Sequence, residues 1–296
     1  MFHNILGNDK IKQILINSIK QDKTSHSYLF IGNEGIGKKL IAKEFAKMIL
    51  CSNENKYCNG CKSCIEFDTD NNPDFKIIEL DGNSIKIEQI REFQRKVAEK
   101  PIISNKKVYI INDSDKMTTE AQNCLLKTLE EPPEFVTIIL IGSNESAYLS
   151  TIKSRCMILH FDKIANEEIE KYLKEKYNVK IDSSIMIKAF EGSIGKAIEL
   201  KEKQEQYKQI EQIIFNIDKK DKIDIINISD IIYKAKEEKF EILDYINVVL
   251  IELAKQNIKF ADCIQIVENT KRRLQSNANY DMCIDNMLFK IWEAVN

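Results

Sequence analysis

The chain has 296 residues, of which 43% are apolar and 30% charged, and its formal net charge is −2. That length leaves room for two or three domains with real cores, and the near balance of charge excludes a global basic field of the kind that gathers nucleic acid. Nine glycines and four prolines leave little material for flexible linkers and favour a helix-rich chain. The opening Met1-Phe2-His3-Asn4 has no basic-then-apolar run, so no secretory leader is expected. No apolar stretch approaches the ~20 residues of a membrane span. The expected location is cytoplasmic, where thiols stay reduced, and the eight cysteines call for an explanation other than disulfides.

In chain order, residues 5–22 carry an amphipathic helical pattern around Ile11, Ile14, Leu15 and Ile19. The apolar run Tyr28–Ile31 predicts a strand, followed by the glycine-rich Gly32-Asn33-Glu34-Gly35-Ile36-Gly37-Lys38 and a helical pattern from Leu40. Four cysteines fall between 51 and 64. Phe75–Leu80 predicts a second strand, and Ile87, Ile90, Phe93 and Val97 share one helix face. Val108–Ile111 is a short continuous apolar run, the mark of a strand buried on both faces. A helix is expected from Met117 to Glu131, stopped by Pro132-Pro133. Val136–Ile141 and Met157–Phe161 complete five strands alternating with helices, which predicts an α/β domain with a parallel sheet and helices on both faces. After Phe161 the apolar period becomes helical: three short segments over 166–202, then longer helices from about 206. The expected domains are 1–163, 164–205 and 206–296.

Gly32, Gly37 and Lys38 meet the pattern G-x-x-x-x-G-K of a P-loop, with Gly35 inside it. Such glycines let backbone N–H groups close on phosphates at a helix N-terminus, and the lysine supplies a point charge. The next residue of an ATPase is Ser or Thr, whose hydroxyl holds magnesium; here it is Lys39, which cannot. After the third strand the chain reads Asn112-Asp113-Ser114-Asp115, so the carboxylate that would hold the metal is an amide, Asn112, and Asp113 stands where Glu is usual. The sequence leaves open whether nucleotide binds. It speaks against ordinary magnesium-dependent hydrolysis.

Cys51-x6-Cys58-x2-Cys61-x2-Cys64 places four thiols within fourteen residues, a pattern suited to a closed tetrahedral zinc site of structural kind. Mixed charges around it (Glu54, Lys56, Lys62, Glu66) do not resemble a finger that reads nucleic acid. The isolated Cys124, Cys156, Cys263 and Cys283 read as core residues. Ser154-Arg155-Cys156 precedes the fifth strand. An arginine there is ordinarily a solvated charge, yet one that reaches a neighbour's γ-phosphate changes rates by orders of magnitude.

With these motifs in place, the chain resembles the AAA+ clamp-loader subunits of bacterial DNA polymerase III, above all the delta-prime family of low-GC Gram-positive bacteria. The resemblance rests on Ser25-His26-Ser27-Tyr28-Leu29-Phe30, the four-cysteine insert, Asn72-Pro73-Asp74 and Ser84-Ile85-Lys86-Ile87-Glu88-Gln89-Ile90-Arg91. Leu125-Leu126-Lys127-Thr128-Leu129-Glu130-Glu131-Pro132-Pro133, Ser154-Arg155-Cys156 and Gly192–Ala197 add to it. Arg272-Arg273-Leu274 with Asn277-Ala278-Asn279 resembles a collar helix. The resemblance implies a P-loop AAA+ domain with a zinc insert, a small helical lid and a helical collar for oligomerisation. It implies partners too: gamma/tau and delta subunits in a five-membered arc that opens the sliding clamp and closes it on primed DNA. In that family a delta-prime subunit acts as a stator without ATPase activity and offers Arg155 to the adjacent gamma/tau site. Lys39 and Asn112 fit that role, and Ser143 and Lys196 at the two sensor positions count against a full ATP cycle. The competing expectation is an active motor of the gamma/tau kind.

Overall fold

The computed structural model describes every residue except 1, 3, 4, 55 and 235, and the side chains of 222 and 226–228 are likewise left aside. The expectation drawn from Met1-Phe2-His3-Asn4 therefore falls mostly outside the described residues. The chain divides into two compact units at Ile164/Ala165.

In the first unit, α1 spans Asp9–Lys20, β1 Ser27–Ile31, α2 Lys38–Leu50, α3 Lys62–Asp68, β2 Phe75–Ile78 and α4 Ile87–Val97. Then come β3 Lys107–Ile111, α5 Thr119–Glu130, β4 Val136–Gly142, α6 Ser150–Lys153 and β5 Met157–His160. The strands form one parallel sheet in the order β2-β3-β4-β1-β5. The three inner strands are buried at every position, and their near-continuous apolar runs are what a sheet covered on both faces requires. Side chains alternate between two cores. Tyr28, Phe30, Val108, Ile110, Ile139 and Ile141 pack with Ile41 and Phe45 of α2. Leu29, Ile31, Tyr109, Ile111, Ile138 and Leu140 pack with Phe93 of α4 and Leu125 of α5. The period of two thus sends neighbouring residues to opposite helical layers. This is the P-loop AAA+ fold expected from the sequence.

Several boundaries differ from expectation. β2 ends at Ile78, opposite Ile111, because β3 stops there and leaves Glu79-Leu80 nothing to pair with. The helix expected from Met117 starts at Thr119. Ile85 forms a bridge with Met117, bonding to the Lys116 carbonyl at 3.1 Å and accepting from Thr118 N–H at 3.1 Å, so Met117 is extended. Thr118 then caps α5, its hydroxyl accepting from Ala121 N–H.

The second unit is helical: α7 Asn166–Tyr177, α8 Ser184–Ala189, α9 Ile194–Glu202, α10 Gln204–Phe215, α11 Lys222–Tyr233, α12 Lys239–Ala254, α13 Lys259–Gln275 and α14 Tyr280–Val295. Its core includes Ile210 and Ile214 of α10, Leu243, Ile246 and Leu250 of α12, and Ile284 and Ile291 of α14. The Tyr207 and Tyr245 rings meet edge to face at 4.8 Å, and Glu211 accepts from both Tyr245 and Ser183. Among the described residues, no helix is long and apolar enough to cross a membrane.

Candidate functional site

Ligands of open α/β sheets gather at the carboxyl ends of the strands, where the loop after β1 and the acidic turn after β3 lie; Arg155 precedes β5 and stands at the opposite, amino end of the sheet, and the four cysteines follow the C-terminus of α2. The loop after β1 runs from Gly32 to Gly37, and Gly37 sits at the N-terminus of α2 with φ 92°. A Cβ at Gly32 would lie 2.6 Å from Ile36 Cδ1 and 2.9 Å from the Phe161 carbonyl oxygen, so the loop's path demands glycine. Lys38 is 7% exposed, and its ammonium donates to the Gly32 carbonyl and to the Asn33 carbonyl at 2.6 Å. Burial pulls its pKa below the ordinary lysine value, with Glu34, Asp115 and Asp113 acting in the opposite sense. The cradle and its point charge fit a phosphate.

The metal side does not fit a divalent ion. Lys39 Nζ lies 2.6 Å from Glu79 Oε1. The other oxygen of Glu79 accepts from Asn112 Nδ2 at 3.0 Å, and Asn112 Nδ2 also reaches Asp113 Oδ2 at 3.0 Å. An ammonium and an amide stand where a hydroxyl and a carboxylate would ligate magnesium, and both turn to the same glutamate. No local pattern marks Glu79: it lies 40 residues from Lys39 and 33 from Asn112, just past the end of β2.

Asp115 has its own task. Its Oδ2 accepts from Ser143 N–H at 3.1 Å, Ser143 Oγ at 3.0 Å and Asn144 N–H at 3.0 Å. The Ser143 hydroxyl is thereby committed to holding the loop after β4. Lys196, in the second unit, is paired with Glu191. Arg155 stands just before the edge strand β5. Its Nη2 is 2.6 Å from Glu130 Oε1, and its Nη1 donates to the Thr151 carbonyl at 2.9 Å and to Ser154 Oγ at 3.2 Å. A third of the Arg155 side chain stays exposed. Cys156 next to it is tucked inward, and burial pushes its thiol up to about 12. Glu130 is the second residue that sequence reasoning missed as a partner.

The four cysteines converge. Cys51 Sγ lies 3.6 Å from Cys58 Sγ and 4.0 Å from Cys61 Sγ, Cys58 and Cys64 are 4.0 Å apart, and all four sulfurs fall within 4.8 Å of one another. Zinc with ~2.3 Å bonds to four tetrahedral sulfurs spaces them about 3.8 Å apart, so the set fits that ion. Cys61 N–H donates to Cys58 Sγ at 3.2 Å. The N–H groups of Gly60 and Cys61 hold the Cys58 thiol below its ordinary range. Burial acts to raise Cys61, but N–H groups of Cys64 and Ser52 and its sulfur neighbours outweigh it and bring it to about 6. Burial raises Cys51 and Cys64. Two thiols are thus poised to ionise, as metal ligands must.

The delta-prime subunit of DNA polymerase III from Bacillus subtilis is 35% identical over 66% of this chain and 60% of its own length. The gamma/tau subunit of Mycoplasma pneumoniae is 36% identical over 63% of this chain and 28% of its own. The chain therefore spans less than two thirds of the length of each of these relatives. A gamma subunit-related protein of DNA polymerase III from Thermotoga maritima shares the fold, with a TM-score of 0.54 over 95% of this chain and 100% of that one at 18% identity. The family model described as DNA polymerase III, delta subunit, matches residues 7–165, more than half of the sequence. The chain belongs to the DNA polymerase III delta-subunit family.

Proposed function

We propose that this chain is a delta-prime-like subunit of the clamp loader of DNA polymerase III, an arm that hydrolyses no ATP itself and lends Arg155 to a neighbour's site. The observation that carries this reading is the pairing of Lys39 and Asn112 with Glu79, which spends the metal side of the P-loop on an internal contact. Turnover needs a divalent ion bridging the β- and γ-phosphates and a residue that positions water. A guanidinium at the exposed edge of the sheet can instead stabilise charge that develops on a neighbour's phosphate. Arg155 would do this with Ser154 and Cys156 fixing its backbone. In this reading residues 1–163 form the AAA+ domain, 164–205 the lid and 206–296 the collar. The partners are gamma/tau and delta subunits, and through the assembly the sliding clamp and primed DNA, in the cytoplasm. Zinc on Cys51, Cys58, Cys61 and Cys64 would tie the end of α2 to α3 without chemistry of its own.

The test uses the reconstituted complex. Arg155→Ala is expected to lower its ATPase and clamp-loading rates at least a hundredfold while the subunits still assemble; an unchanged loading rate removes the finger from the account. The isolated chain should release no phosphate from Mg–ATP, with or without primed DNA. Sustained release would favour the second reading, an active gamma/tau-type motor, which the 36% identity to a gamma/tau subunit keeps in play.

A further inference from the structure

The two departures from the ATPase pattern share one sign. A lysine in place of a hydroxyl adds one positive charge at position 39, and an amide in place of a carboxylate removes one negative charge at position 112. Together they supply the double charge that a magnesium ion would bring to a triphosphate. The structure joins the two sites through Glu79, with Lys39 Nζ on one carboxylate oxygen and Asn112 Nδ2 on the other. The phosphate cradle beside them is intact: Gly37 caps α2, and Lys38 is held over the Gly32 and Asn33 carbonyls. We propose that the P-loop binds a nucleoside triphosphate without a divalent cation, Lys39 serving as a tethered replacement for the metal.

The energetics allow the exchange of partners this needs. The side chains of Lys39 and Glu79 are 45% and 50% exposed, and an exposed ion pair is held by only ~0–1 kcal/mol. A phosphate group beside α2 therefore competes readily for the ammonium. Lys39 is the second residue of that helix, one position from the lysine of the cradle, so its ammonium is tethered at the same helix N-terminus. The acidic neighbours Glu34, Asp113 and Asp115 act on Lys38, and together with Glu79 they oppose a bare triphosphate. A carboxylate at position 112 would add to that opposition, which is why the amide and the lysine belong together. The proposal rests on the reading of residues 32–38 as a working phosphate cradle, and leaves untouched the question of who hydrolyses ATP in the assembly.

The experiment is a calorimetric titration of the full chain with ATP, once in excess EDTA and once in magnesium. The parent chain is expected to give affinities within about twofold of each other. Lys39→Ala should lose at least tenfold in EDTA, and Lys39→Arg should keep most of the affinity. Lys39→Thr/Asn112→Asp should introduce a preference the parent lacks and bind at least tenfold tighter with magnesium. Lys38→Ala, which removes the cradle's charge, should lose binding in both buffers. The proposal is overturned if the parent needs magnesium, if Lys39→Ala is unaffected in EDTA, or if the parent binds ATP in neither buffer. None of these results bears on Arg155→Ala in the complex, so the subunit assignment stands or falls separately.

Discussion

Gly142 closes β4 immediately before the loop that Asp115 holds, and its lack of a side chain has a measurable consequence. A Cβ there would lie 2.1 Å from the Tyr148 hydroxyl oxygen, 3.0 Å from Tyr148 Cζ and 3.1 Å from Asp115 Cγ. Neither neighbour yields cheaply. Tyr148 is 4% exposed, and Ser114 Oγ donates to the Ile141 carbonyl at 2.9 Å, which leaves the tyrosine hydroxyl to donate to Ser114 at 2.7 Å. Gly142→Ala must displace the ring, at about 1–3 kcal/mol for overpacking, and orphan a buried hydroxyl, at about 1–3 kcal/mol more. A loss of about 2–6 kcal/mol raises hydrogen exchange of the β1 and β4 amides roughly 30- to 30,000-fold if they exchange by opening of the sheet. Exchange measured by mass spectrometry is the suitable assay, because the chain's one tryptophan, Trp292, lies in the second unit and does not report on the sheet. Tyr148→Phe in the same chain should return part of the loss, since it removes the atom met at 2.1 Å. Exchange in β4 within about threefold of the parent, or no recovery in the double variant, refutes the steric reasoning.

Other consequences are as direct. Metal analysis of protein purified without chelator should find one zinc per chain, and Cys58→Ser or Cys61→Ser should abolish it and speed exchange in 51–68; a parent chain free of metal counts against the site. Because the Cys156 thiol is pushed up to about 12, iodoacetamide at pH 8 should label it on the order of a thousandfold more slowly than an ordinary cysteine, and rapid labelling would show that the side chain is not tucked away. The Asp74 carboxylate accepts from the N–H groups of Ile102, Ile103 and Ser104 at 2.7–2.8 Å while 1% exposed. Asp74→Ala strands three donors and should cost about 3 kcal/mol or more, read as a drop in the denaturation midpoint; a cost under about 1 kcal/mol would mean that water replaces the carboxylate.

What the sequence revealed and what it withheld divide along the distance between interacting residues. The inner strands were legible because burial on both faces leaves a continuous apolar signature, as in Val108–Ile111 and Val136–Ile141. The four-cysteine cluster was legible because C-x2-C spacing is itself the geometry. Lys39 and Asn112 stood out as departures from a local pattern. Their common partner did not, since nothing near Glu79 marks it and only the sheet order brings the ends of β2 and β3 beside the P-loop helix. Asp115 was hidden for the same reason: as a turn residue before a helix it has a sufficient local explanation, and its bonds to Ser143 and Asn144 exist only because β4 lies beside β3. Glu130 falls within the Leu-Lys-Thr-Leu-Glu-Glu-Pro-Pro run, which does not mark it as a partner, and its contact with Arg155 depends on where α5 ends relative to α6.

That last contact bears on the proposed role of Arg155 at a neighbour's phosphate. A guanidinium left to itself samples many rotamers, and ordering it on arrival at a phosphate costs up to ~2 kcal/mol. In this chain Glu130 and the Thr151 carbonyl already hold Arg155 in one place. The hold is light, because Glu130 is 49% exposed and Arg155 32%, so the pair falls among surface ion pairs of ~0–1 kcal/mol. A phosphate, meeting the guanidinium through two parallel N–H···O bonds in a site closed to water, outweighs such a pair. If Arg155 acts as proposed, Glu130 keeps it ordered without imprisoning it. Glu130→Gln, which keeps the shape and removes the charge, should change ATPase of the complex far less than Arg155→Ala does. An equal loss from both would mean that the two side chains act as one unit.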